Sequence, residues 1–327
     1  MRQVTAGGHV WKYESNGVQA LAISPDGRRL AVGEGDFYQP YKPSDIHLRE
    51  LASDREIGVF KGHTASVGLL AFGPNGRTLI SGSFDGTTRL WQMPSGQAAP
   101  FPGSTNGHWG TLAAVSPQGR LATYRKVEPP ATNTLAILDP ATGHVLATFS
   151  SVLANMGSVP VVCFSADGSL VAAMGETNEV SVWEVTSQRR VATLPQADGL
   201  TALSISPDGR FLATGSEGKR VRLLDLRSGQ VLLDIEGHRH VVTALAFSPD
   251  GARLVSASVD STIKLWAVPS GHELITLTGH QANINALVFT PDGNKLISGS
   301  ADGEVRFWRA AKPQEIASSD ASIEATQ

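Results

Sequence analysis

Three stretches of the sequence repeat the same four side chains at the same spacing: His63, Ser81, Asp85 and Trp91; His238, Ser256, Asp260 and Trp266; His280, Ser298, Asp302 and Trp308. Serine, histidine and aspartate are the parts of a nucleophilic hydrolase. There the imidazole takes the hydroxyl proton, the carboxylate holds the far ring nitrogen, and nearby donors stabilise an oxyanion. Chemistry needs one such site, whereas this set recurs from unit to unit, which points to a duty of each unit. Other catalytic signals are poor. Gly218-Lys219-Arg220 lacks the glycine spacing and the hydroxyl residue of a phosphate loop, and no His-Glu-x-x-His or paired-cysteine metal site occurs. His238 and His240 lie two apart and share a face of an extended segment, but His238 already belongs to a repeated set. The single cysteine, Cys163, rules out an intramolecular disulfide. Neither a cofactor nor a resident metal is expected.

The elements that position these residues follow from a turn that recurs seven times. It begins at Ser24, Gly73, Ser116, Ser165, Ser206, Ser248 and Thr290, reads Ser-Pro-Asp-Gly in three copies and differs from it by one or two residues in the other four, and has spacings of 49, 43, 49, 41, 42 and 42 residues. That period matches four short strands per unit. Proline presets a negative φ at the first central position and glycine accepts the positive φ that closes a hairpin. Before each turn, Leu21, Leu70, Ala113, Val162, Leu203, Leu245 and Leu287 alternate with Ile23, Phe72, Val115, Phe164, Ile205, Phe247 and Phe289. Between them lies a column of compact residues: Ala22, Ala71, Ala114, Cys163, Ser204, Ala246 and Val288. A strand covered on both faces, with one face restricted to small side chains, suits the innermost position of radially packed sheets, which is propeller geometry. In that column Cys163 is expected to be a buried, inert thiol.

Composition agrees with an all-β chain. Of 327 residues, 34 are glycine and 18 proline, and 41% are hydrophobic, enough for a packed core. With 27 basic and 30 acidic residues the formal net charge is −3, so the chain is neither polybasic nor polyacidic and nucleic acid is an unfavoured partner. No stretch approaches the roughly 20 apolar residues that cross a bilayer, and Met1 to Trp11 carries no apolar leader, so a cytoplasmic protein without membrane attachment is the default unless the chain is an excised module.

With Gly-His pairs at Gly62-His63, Gly237-His238 and Gly279-His280, and third strands ending at Trp91, Trp183, Trp266 and Trp308, the chain resembles the WD-repeat β-propellers over roughly residues 4 to 310. The resemblance implies a seven-bladed propeller of four-stranded antiparallel blades. It also implies that aspartate, histidine, serine and tryptophan form a buried hydrogen-bonded lock in the blade. Ser83, Ser258 and Ser300 share a strand face with Ser81, Ser256 and Ser298, and the earlier serine of each pair is assigned by resemblance. The expected domain is a single propeller over 1–310, with 311–327, rich in alanine and serine, as a disordered tail. Gly8 to Tyr13 align with the fourth strands of other units, so residues 9–14 are expected to join 283–309 in the seventh blade and leave no open edge. The lock is incomplete in four units. The tryptophan position holds Arg49, Leu138 and Leu224 in units one, three and five, and unit four keeps Trp183 but has Asn155 and Thr177 for histidine and aspartate.

Strand direction places the loops entering first strands and leaving second strands on one face, called the top, opposite the repeated turns. Long insertions collect there: Gly35 to Pro43 with Phe37, Tyr38 and Tyr41, a segment from Tyr124 through Arg125 and Lys126 to Pro130, and a loop with Trp109. Phe84, immediately before Asp85, belongs to the same rim, at a position that often contacts a peptide in related propellers. Aromatic and arginine side chains on polar loops fit the anchor chemistry of protein interfaces, while loop packing over the first blade accounts equally well for Tyr38 and Tyr41. The expected function is therefore a non-catalytic scaffold binding a peptide or protein surface on the top face. The uniform turns, similar to those of prokaryotic WD-repeat arrays, also fit a module of a larger signalling protein. The alternatives are a propeller that binds glycan, a small ligand or nucleic acid, the last through Arg125 and Lys126, and, least favoured, an enzyme.

Overall fold

The computed structural model describes residues 4–13, 17–36, 39–99, 112–126, 133–150, 161–175, 179–195 and 198–310. These residues form seven antiparallel four-stranded sheets; six are meanders in chain order, and in the seventh the first strand of the chain joins the last three. The blades span 18–60, 67–99, 112–149, 162–195, 200–236, 242–277 and, for the seventh, 284–310 together with Val4–Lys12. The first strand of every blade touches the first strand of the next, and that of blade seven touches that of blade one, so the blades close a ring.

The second strands are buried almost throughout, as Arg29–Glu34, Thr78–Ser83 and Phe211–Ser216 show. A strand covered on both faces reads as a continuous apolar run, and each face feeds a different core. Seven hydrophobic clusters result, one between each pair of neighbours. Ile46, Leu48 and Phe60 of blade one meet Val67, Leu79 and Trp91 of blade two, and Trp11 and Ile297 of blade seven meet Val18, Leu30 and Val32 of blade one. The core is therefore distributed around the ring.

In six blades the first strand carries a register shift near its top, for example between Leu200 and Ala202, Val242 and Ala244, and Ile284 and Ala286. A bulge adds one residue to one strand and re-aims its side chain. The added residues Thr201, Thr243 and Asn285 use that freedom to donate to the neighbouring blade. Thr201 Oγ1 donates to the Val242 carbonyl at 2.6 Å, Thr243 Oγ1 to that of Ile284, and Asn285 Nδ2 to that of Val18 at 3.0 Å. These bonds staple blades five, six, seven and one in succession.

The outermost strand of blade seven is Val4–Lys12, paired antiparallel with Glu304–Ala310. It begins five residues before the expected 9–14. The register shift between Ala6 and Val10 interrupts the pairing there, and Gly7 and Gly8 in that stretch give no strand signal. Residues 311–327 lie outside the described part.

Candidate functional site

In blade two the indole Nε1–H of Trp91 donates to Ser81 Oγ at 2.8 Å, Ser81 Oγ is 2.8 Å from His63 Nε2, and His63 Nδ1 is 2.8 Å from Asp85. An indole only donates and a carboxylate only accepts, so the protons are placed: Nδ1–H donates to Asp85, and the serine hydroxyl donates to Nε2. Burial pushes the His63 imidazole below its usual range, outweighing the attraction of Asp85, which fits the neutral ring this chain requires. Blade six repeats the geometry at 2.8, 2.7 and 3.1 Å, and burial likewise lowers His238. Blade seven repeats it at 2.8, 2.8 and 3.0 Å. Ser81, Ser256 and Ser298 are each 0% exposed.

Each aspartate has further donors. Asp85 accepts the Thr64 amide at 3.0 Å and the Thr87 hydroxyl at 2.6 Å, and Asp260 accepts the Arg239 amide at 2.8 Å and the Thr262 hydroxyl at 2.6 Å. Burial works against ionisation of Asp302, but the bonds from His280 and the Gln281 amide outweigh it and hold its carboxyl down at about 2. The threonines Thr87 and Thr262 escaped the sequence reading, although both stand two residues after the aspartate. Blade seven has Glu304 there, and His280, Asp302 and Glu304 bring three donor atoms within 4.8 Å. Their capacity is taken up within the blade, because Arg306 holds Glu304 at 2.6 Å and Asp302 already serves His280 and Gln281.

The later serine of each pair has another task. Ser83 donates to the Ala65 carbonyl at 3.1 Å, Ser258 to that of His240 at 3.1 Å and Ser300 to that of Ala282 at 3.2 Å, tying the incoming loop to the second strand. Of the incomplete blades, blade four pairs Trp183 with Val171 as blade six pairs Trp266 with Leu254, which puts Ala173 at the place of Ser256. Asn155 and Thr177 lie outside the described residues. Leu138 and Leu224 fill the indole's place with 0% and 1% exposure. Arg49 instead lays its guanidinium 4.8 Å from the ring of Trp11 and 5.6 Å from that of Tyr13, so blade one replaces the lock with a cation–π stack on the closing strand. Beside it His47 bridges Glu34 at 3.2 Å and Glu56 at 2.9 Å; burial opposes its charging, and the two carboxylates outweigh burial and raise its pKa.

The top-face residues divide. Tyr41 is 79% exposed, on a loop fixed by the Ser66 amide donating to the Pro40 carbonyl at 2.7 Å and the Asp36 amide donating to Ser66 Oγ at 3.0 Å. It does not fold back over the first blade. Phe84 is half-buried on the adjoining loop, its amide donating to the Ser66 carbonyl at 3.0 Å. Phe37, Tyr38 and Trp109 lie outside the described residues. The segment from Tyr124 to Lys126 is not a loop. Arg125 and Lys126 pair with Thr134 and Asn133 as the end of the second strand of blade three. Tyr124 is only 5% exposed, packed between blades three and four, and burial raises its phenol pKa. The reason is a turn one residue shorter than elsewhere, pairing Val115 with Leu121 where blade two pairs Phe72 with Leu79. The shortening puts Tyr124 in the place of Gly33, Gly215 and Gly299, where a side chain points at the next blade.

A family model for the WD domain, G-beta repeat, matches residues 54–92, 229–267 and 271–309, and a model for the anaphase-promoting complex subunit 4 WD40 domain matches 162–244. The matched stretches carry all three complete locks inside a ring of seven four-stranded blades. The chain belongs to the WD-repeat β-propeller family. WD-repeat relatives to which it is similar include pre-mRNA-processing factor 19 homolog 2 of Arabidopsis thaliana, 28% identical over 55% of this chain and 34% of the relative. The nuclear distribution protein PAC1 of Coccidioides posadasii is 28% identical over 56% of this chain and 40% of its own. A serine-threonine kinase receptor-associated protein of Dictyostelium discoideum is 35% identical over 23% of each chain. The WD-repeat matches thus span less than half the length of these relatives. Among the described residues no helix is long and apolar enough to cross a membrane.

Proposed function

We propose that this propeller is a non-catalytic scaffold, working in the cytoplasm, that binds a peptide or protein surface on its top-face loops. The observation that carries the reading is that the three serines able to act as nucleophiles are wholly buried, each accepting an indole N–H and donating to its histidine. No substrate carbonyl reaches such a hydroxyl. What the ring offers outward is loops on a rigid support, where recognition residues concentrate. Tyr41, 79% exposed on an anchored loop, and Phe84 on the adjoining loop have the character of interface anchors: large, stiff side chains that lose little entropy on binding. Relatives named as a receptor-associated protein and a nuclear distribution protein support a role in association in general.

The test is affinity purification from the source cell with the wild type and a Tyr41→Ala, Phe84→Ala double variant that melts at the same temperature. A partner recovered by the wild type and lost by the variant supports the reading. Equal recovery moves the surface away from these loops, and recovery of a glycan or nucleic acid in place of protein replaces the proposal with the ligand-binding alternative.

A further inference from the structure

In four blades one position of the third strand holds a cation: Arg89 opposite Ser81, Arg222 opposite Thr214, Lys264 opposite Ser256 and Arg306 opposite Ser298. Arg222, Lys264 and Arg306 each meet a carboxylate, that of Asp234 at 3.2 Å, of Glu273 at 2.8 Å and of Glu304 at 2.6 Å. Blade one has His47 at this position, opposite Val32. Guanidinium and ammonium groups keep their charge throughout the neutral range, whereas an imidazole gains and loses it there.

His47 is also held differently from the lock histidines. In each lock one ring nitrogen faces a carboxylate and the other a hydroxyl, which a neutral imidazole satisfies. Both nitrogens of His47 face carboxylates, Nε2 that of Glu34 at 3.2 Å and Nδ1 that of Glu56 at 2.9 Å. A neutral ring carries one N–H, so only the imidazolium donates to both. The Glu34 side chain is 7% exposed and that of Glu56 38%. When the proton leaves, the remaining N–H stays with the shielded Glu34, and a lone pair then faces Glu56.

The same ring touches the strand that closes blade seven. His47 and Arg49 lie on the face turned toward that blade, because their register partners Val32 and Leu30 belong to the cluster of Trp11 and Tyr13. The imidazole is 4.8 Å from the Tyr13 ring, and the Arg49 guanidinium, 3.8 Å from Glu56, covers the rings of Trp11 and Tyr13. The remaining charges nearby are steady across the neutral range. Asp45 pairs with Lys61 at 3.4 Å, Lys12 is exposed across from Glu304, and burial pushes the Tyr13 phenol up to about 12. The third strand of blade seven turns Val305 and Phe307 to this cluster.

We propose that His47 is a proton-operated latch on the closing strand: charged, it holds the end of that strand against blade one, and on losing its proton it lets the strand loosen. Loosening bares the edge of Glu304–Ala310, whose amides and carbonyls the strand otherwise pairs. Burial opposes the charge on His47 and the two carboxylates outweigh it, raising its pKa, so the hold is complete below pH 6.5 and is lost as pH rises through the folded value.

The test is hydrogen exchange read by mass spectrometry at pH 6 and pH 9, corrected for the intrinsic pH dependence of exchange. Protection of residues 4–13 is compared with that of Arg253–Ser258 in blade six. In the wild type, protection of 4–13 relative to blade six is expected to fall about fivefold between the two pH values, the weight of one partly exposed ion pair. His47→Arg, which installs the permanent charge found in other blades, should remove the fall and keep the strand protected at pH 9. His47→Gln should remove it too, with the strand less protected at both values. Constant protection in the wild type, a fall that survives in His47→Arg or His47→Gln, or an equal fall in blade six would each overturn the proposal.

Discussion

Ser256 Oγ stands 2.8 Å from the Trp266 indole nitrogen and 2.7 Å from His238 Nε2, so both sides of the hydroxyl are engaged inside the protein. Trp266→Phe removes the donor and some packing, and is expected to cost about 1–3 kcal/mol in urea unfolding. Trp183→Phe is the control, because Ala173 stands where a serine would accept; it should cost less, and equal losses would show that the hydrogen bond adds nothing. Two groups of histidines oppose each other with pH. His63 and His238 are lowered from 6.5, so the unfolded chain binds more protons there; their contribution is complete above pH 6.5 and is lost as pH falls through their folded values. His47 is raised from 6.5, so its contribution is complete below pH 6.5 and is lost as pH rises through its folded value. The stability gap between wild type and His47→Gln should accordingly be larger at pH 6 than at pH 8, whereas the gap to His63→Asn should be larger at pH 8. Both follow from unfolding curves at the two pH values. At this scale the locks were legible because three copies in register show which residue types belong together. The choice between Ser81 and Ser83 was not, since alternate residues share a strand face and only the distances separate a bond to His63 from one to the Ala65 carbonyl.

Among the elements, Val4–Lys12 does the most for its length. It supplies Trp11 and the following Tyr13, 5% and 6% exposed, to the cluster between blades seven and one, and covers an edge of Glu304–Ala310 that otherwise presents unpaired amides and carbonyls. Removing residues 1–14 is expected to lower the melting temperature by about 10 °C or more, given the cost of losing two buried aromatic rings. Differential scanning calorimetry decides, and an unchanged melting temperature would mean that the strand does not close the blade. The seven turns, and with them the strands on either side, were visible because proline and glycine mark a hairpin without help from tertiary context. The closing strand's true start was hidden by its bulge, and Tyr124 was misplaced because one missing turn residue shifts a side chain from the rim to an inter-blade core. The bulge donors Thr201, Thr243 and Asn285 were beyond sequence reading, since their partners are carbonyls of the next blade.

Over the whole molecule, each blade buries its faces only against its two neighbours, and the ring holds because no blade lacks one. Complete locks occur in blades two, six and seven, blades three, four and five rest on apolar packing, and blade one stacks Arg49 on Trp11 and Tyr13, so one architecture is maintained by three kinds of interaction. The side chains with hydrolytic potential are used between elements, which leaves the two faces of the ring for function. The measurement that tests this most directly is mass spectrometry of the folded protein after exposure to a fluorophosphonate, which captures activated serines. The prediction is that Ser81, Ser256 and Ser298 stay unmodified while Ser256→Ala lowers the unfolding free energy. Modification of any one of the three, abolished by substituting that serine without loss of stability, would contradict the account and make that blade a catalytic site.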